Sequence, residues 1–140
     1  MPGFSSTSEF REVMDRAFGL MSTDPEMGPK LRDARVPQRF EFPDLDAVVN
    51  ITYDDSGAEQ NLRWEWSNEV DWEPKVTMTM SSEVANRYFQ GKENVPLALA
   101  KRRIKSSGDI KSALKLIPIT KPVFALYREM LERDYPHLIV

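Results

Sequence analysis

Between Val76 and Gly91 the hydrophobic period switches within two residues, and this switch limits the fold more than any other feature of the chain. Val76, Met78 and Met80 point one way and Thr77 and Thr79 the other, the alternation of a half-buried strand. At Ser81-Ser82 a helix starts: serine can accept from the free amides of its first turn, Glu83 suits the positive end of the dipole, and Val84, Tyr88 and Phe89 follow at helical spacing. Gly91 closes that helix. Leu97 and Leu99 sit on a second short helical segment, a strand is expected over Arg103–Ser107, and Asp109 caps a helix carrying Ile110, Leu114 and Leu116.

The remaining elements follow from the same periods. Ser6-Thr7-Ser8-Glu9 is a capping box opening a helix over about residues 6–21, with Phe10, Val13, Met14, Ala17, Phe18 and Met21 in one stripe. Gly19 and Ser22-Thr23-Asp24-Pro25 are expected to stop it. One short helix fits around Glu26 to Ala34. Runs at Arg39–Phe42, Ala47–Tyr53 and Leu62–Trp66, separated by short polar turns, predict an antiparallel meander with the Val76–Met80 strand. One apolar face per run asks for cover on one side only. Pro118 and Pro122 are expected to break the chain after Leu116, with Thr120 capping an amphipathic helix that holds Phe124, Tyr127 and Met130 and ends at Tyr135-Pro136. The expected fold is α+β: a single antiparallel-rich sheet of about five strands, one face under helices, in one domain over 1–140 with sheet and helices at about 38–134.

The order of elements from Thr77 to Leu116 resembles the sterol carrier protein 2 family of lipid-binding domains. The residues carrying the resemblance are the TMTM strand, the helix ending Phe89-Gln90-Gly91-Lys92, the Asn94–Ala98 turn, Ile104 to Asp109, and Ile110 to Leu116. Asn94-Val95-Pro96 stands where the family more often has Asn-Pro, and Leu99 where an aromatic is common. The resemblance implies a hydrophobic tunnel between sheet and helices that takes a fatty acid, acyl-CoA, sterol or similar lipid without a covalent step.

Carried onto this chain, the family pattern puts Trp64, Trp66, Met78 and Met80 in the floor. Val84, Tyr88, Phe89 and Leu97 would form one wall, with Leu114, Phe124, Tyr127 and Met130 closing it. A volume of ~300–1,000 Å³ is expected for such a site, filled at ~0.8 kcal/mol per buried methylene. By composition alone the same methionines and aromatics are core residues, because a filled core and a tunnel use the same side chains. An accessory or interaction subunit of a lipid- or quinone-related enzyme system, with a filled or vestigial cavity, is the alternative.

Net charge is −3, unevenly spread. Residues 41–73 carry ten acids and one base, whereas 95–121 carry seven bases and one acid. Lys101, Arg102, Lys105 and Lys111 would therefore steer a headgroup or make transient contact with an anionic membrane surface. Two solvated faces that balance each other fit the same pattern. Nucleic acid is disfavoured, since the basic stretch lacks interleaved aromatics.

No chemistry-bearing constellation stands out. His137 is the one histidine, beyond a helix-stopping proline, and there is no cysteine and no Gly-x-Ser-x-Gly. Asp44, Asp46, Asp54 and Asp55 read as turn formers without calcium-loop spacing. A non-catalytic chain with no cofactor and no metal is expected. The N-terminus lacks the pattern of a secretory signal and the C-terminus is not a Ser-Lys-Leu address, so the cytoplasm is the default compartment.

Overall fold

The computed structural model describes residues 3–57 and 59–140. Its elements in chain order are α1 (Thr7–Thr23), α2 (Met27–Ala34), β1 (Gln38–Phe42), β2 (Ala47–Tyr53), β3 (Leu62–Glu65), β4 (Val76–Met80), α3 (Ser82–Phe89), α4 (Val95–Ala100), β5 (Ile104–Gly108), α5 (Ile110–Thr120) and α6 (Val123–Asp134), with single 3-10 turns at Pro43–Leu45 and Pro136–Leu138. They form a five-stranded sheet with helices on one face, an α+β fold in which every strand pairing but one is antiparallel.

The exception corrects the meander. The order is β3-β2-β1-β4-β5, with β4 parallel to β1. The β1–β2 hairpin leaves one edge of β1 open, and residues 66–75 return the chain to it. Lys75 N–H then donates to the Pro37 carbonyl at 2.9 Å, and Phe40 comes into register with Met78. The apolar faces of β1 and β4 therefore continue one another, which is what fixes a register.

That return segment also gives the second face of the sheet a partial cover, where alternation alone predicts water. Asn50 is 1% exposed and Thr52 4%. Asn50 Nδ2 donates to the Ser67 carbonyl at 2.7 Å, an Arg39 Nη donates to that of Asn68 at 3.1 Å, and the Arg63 guanidinium lies 4.9 Å from the Trp72 ring centre.

Caps set most helix starts where the sequence places them. Glu9 N–H donates to Ser6 Oγ at 3.0 Å, Val84 N–H to Ser81 Oγ at 3.2 Å and Ser112 N–H to Asp109 Oδ1 at 3.1 Å. Ser22-Thr23-Asp24-Pro25 ends α1 as expected, but Gly19 and Pro118 do not act as stops. α1 runs through Gly19 to Thr23, its last turn tied by the Thr23 hydroxyl donating to the Gly19 carbonyl. α5 runs through Pro118 to Thr120, so Thr120 lies inside it and Pro122 precedes α6. A proline there removes the helical donor to the Leu114 carbonyl. The helix persists because Ala113, Leu116 and Thr120 are buried along one face on either side of it.

The core beneath the N-terminal part of α1 is filled. Phe10, 0% exposed, meets Phe42, Phe4 and Trp66 edge to face at centroid distances of 4.7, 4.9 and 5.9 Å. Asp15 Oδ1 accepts from both Trp64 Nε1 at 2.9 Å and Trp66 Nε1 at 2.7 Å. One carboxylate thus ties α1 to β3 and to the residue just past it.

Candidate ligand-binding cavity

Beneath α5 the packing stops short of closure. A cavity of about 110 Å³ lies between the inner face of α5 and the sheet. Its roof is Ile110, Ala113, Leu114, Leu116, Ile117 and Thr120, one helical stripe carried through Pro118. Phe40, Phe42, Ile51, Met78, Met80 and Ile104 come from the strands, and Ala85, Tyr88 and Phe89 from α3. Met14, Phe18 and Met21 from α1 and Leu31 from α2 complete most of the wall. No lining residue is charged. Leu114 lines the cavity and is 38% exposed.

The α3 wall is held by aromatic contacts and one hydroxyl pair. Tyr88 packs edge-on against Phe89 at 5.2 Å and Phe124 at 5.7 Å. Its phenol lies 2.9 Å from Thr120 Oγ1, whose own proton goes to the Ile117 carbonyl at 3.0 Å. Burial pushes the Tyr88 pKa up, a shift the Thr120 contact only partly offsets. Gly91 lets Phe124 approach: φ is +73°, and a Cβ would stand 3.0 Å from the Phe124 ring.

Behind this wall, Glu93 braces α3 to the strand side. It accepts from Arg87 Nε at 3.0 Å and from Arg103 Nη2 at 2.8 Å. Burial alone would raise its pKa, but the hydrogen bonds from Arg103 and Arg87 outweigh it and hold the carboxyl below its ordinary value.

Five of the twelve expected lining residues stand on the cavity: Met78, Met80, Tyr88, Phe89 and Leu114. The other seven lie elsewhere, each for a local reason. Trp64 and Trp66 are on the helix-covered side but under α1, clamped by Asp15. Val84 and Met130 are buried in packed core. Tyr127 turns its hydroxyl to Asn86 Oδ1 at 2.7 Å, in a network where Asn86 and Gln90 also donate to the Leu138 carbonyl. Phe124 stands behind Tyr88 against Gly91, and Leu97 is 44% exposed on α4. The part of the α5 stripe beyond Leu116, Ile117 and Thr120, was the missed signal, hidden by reading Pro118 as a stop.

The four basic residues are spread over the α4–β5 turn, β5 and the first turn of α5. Lys101 and Arg102 occupy the turn before β5, and Lys111 lies beyond its other end, in the first turn of α5. Lys105 is exposed and alternates with buried Ile104, so it points away from the cavity. The observed volume is also several-fold below the expected range.

A wider depression of about 590 Å³ on the other side of β3 is lined by Arg63, Glu65, Glu69, Asp71 and Trp72, among others. Its charged, open rim cannot exclude water. His137 Nε2 is 3.1 Å from Glu9 Oε1 at the surface. Among the described residues no group of three or more His, Cys, Asp or Glu side chains is placed to hold a metal ion, and no helix is long and apolar enough to cross a membrane.

A model of the SCP-2 sterol transfer family matches residues 22–121. No curated protein matches the chain by sequence. Among solved structures, the stereoselective inverting sec-alkylsulfatase Pisa1 from Pseudomonas sp. aligns with a TM-score of 0.62 at 17% identity, over 76% of this chain but 16% of the sulfatase. The UbiJ-SCP2 ubiquinone synthesis protein aligns at 0.60 and 9% identity, over 81% of this chain and 94% of that one. Apo sterol carrier protein 2 from Yarrowia lipolytica aligns at 0.55 and 15% identity, over 88% and 94%. At these identities the likeness is one of fold.

Proposed function

The chain belongs to the SCP-2 sterol transfer family, and from that premise we propose that it binds the hydrocarbon part of a lipid in the cavity under α5 and carries it without chemical change. The observation supporting this reading is a cavity between α5 and the sheet with no charged residue in its mainly apolar lining. Transfer of a chain from water into such a wall is favourable by ~0.8 kcal/mol per methylene. Nothing in the lining supplies a paired acid and base or a nucleophile with its activating partner.

At about 110 Å³ the cavity holds only part of a lipid tail, so uptake on this reading parts the walls. The roof is the part suited to yield: inside α5 the Leu114 carbonyl lacks its helical donor, and Leu114 itself is half in water. Mass spectrometry of an organic extract of freshly purified protein is the direct test. A stoichiometric lipid supports carriage. A lipid-free extract, together with no saturable binding of the neutral dye Nile red, overturns it.

The small volume also favours a second reading, in which the domain assembles with partners and the cavity is vestigial. The ubiquinone synthesis protein covered over 94% of its length makes a quinone-related assembly the natural form of that alternative. Lipid-free protein that co-elutes stably with an enzyme of such a system would select it.

A further inference from the structure

The cavity wall contains one pair of hydroxyls, and both of its protons are already committed. Thr120 Oγ1 donates to the Ile117 carbonyl at 3.0 Å. Its oxygen then has only lone pairs to offer, so the proton in the 2.9 Å contact between Tyr88 and Thr120 comes from Tyr88. The relay runs from Tyr88 through Thr120 to Ile117, and what it leaves unused is acceptor capacity on Tyr88 Oη. The other polar lining residues do not change this. Gln38 and Tyr53 are partly exposed at the margin, and Thr52 alternates with Ile51 onto the second face of the sheet.

We propose that Tyr88 and Thr120 form a polar pole that selects a neutral lipid whose polar group donates a hydrogen bond, an alcohol, over the carboxylate or ester of the same chain. The inference rests on the carrier reading of the cavity. An alcohol adds one hydrogen bond to Tyr88 Oη and disturbs none. An ester offers only acceptors; to receive the Tyr88 proton it displaces Thr120 from that contact, with no net gain. A carboxylate meets the same lone pairs and brings a charge into a wall with no lysine, arginine or histidine. One added hydrogen bond corresponds to about tenfold in affinity.

The experiment is displacement of Nile red from the full chain by 1-decanol, methyl decanoate and decanoate at pH 8. The expected order is decanol tightest, the ester about tenfold weaker, and the carboxylate weaker again. Tyr88→Phe hands the free lone pairs to Thr120 Oγ1, so the double variant Tyr88→Phe/Thr120→Val is the one that removes the decanol advantage while leaving the ester unchanged. Thr120→Val alone frees the Tyr88 proton, so the ester gains and the advantage of the alcohol narrows, a change that loosened packing does not produce. Equal displacement by all three ligands, or an alcohol preference that survives the double variant at full size, overturns the polar pole and leaves carriage standing. Failure of every ligand to displace the dye overturns carriage, and the pole with it.

Discussion

The two halves of the helical layer are built from the same kinds of residue and end differently. Under the N-terminal part of α1, Phe10 and Trp66 meet edge to face and Asp15 ties the indoles of Trp64 and Trp66 down. Under α5, Ile110, Ala113, Leu116 and Ile117 face Met78, Met80 and Ile104 across unfilled space. The rings of the first half can pack edge to face, which fixes their geometry. The second half meets the sheet with branched and small side chains, on a helix whose hydrogen-bond ladder is interrupted at Pro118. Outside the cavity, Glu93 and its two arginines tie α3 to the start of β5.

The largest effect expected from this contrast is on the filled side. Phe10→Ala should lower stability by about 4 kcal/mol in urea unfolding, because the cavity it leaves is walled by rings that cannot collapse. A single substitution made in both halves sharpens the comparison. Ala17→Leu, at a position 0% exposed under α1, should cost about 2 kcal/mol through overpacking. Ala113→Leu projects into open space and should cost nothing measurable while abolishing Nile red binding. Equal costs for the two variants would mean that the halves are packed alike.

The smallest effect is one that depends on pH. Glu93→Gln should cost about 1 kcal/mol, since the two arginines it holds remain partly solvated. The folded pKa of Glu93 lies below its ordinary value of 4.5, so the stabilisation from its carboxylate is complete above that value. It is lost as pH falls through the folded pKa. The stability difference between the wild type and Glu93→Gln, read by urea unfolding, should therefore shrink as the pH is lowered from 6 through the folded pKa of Glu93.

Period and capping made most of the fold legible. Alternation marks the strands, and Ser6, Ser81 and Asp109 accept from the helix amides that their positions predict. The parallel pairing of β1 with β4 was not legible, because it depends on where residues 66–75 carry the chain, and no local signal records that. Pro118 misled because a proline in a helix costs one hydrogen bond, and burial on both sides of it more than compensates. The cavity itself was legible only in part: Met80 and Met130 read alike in the sequence, yet one lines the hollow and the other is buried in solid core. Which of two apolar residues borders empty space is set by the fit of whole helices to the sheet.

Asp15 decides how this molecule can be watched. With Trp64 and Trp66 both bound to its carboxylate, and both away from the cavity, their emission gauges the seating of the first helix. A change in it reports that helix shifting on its seat.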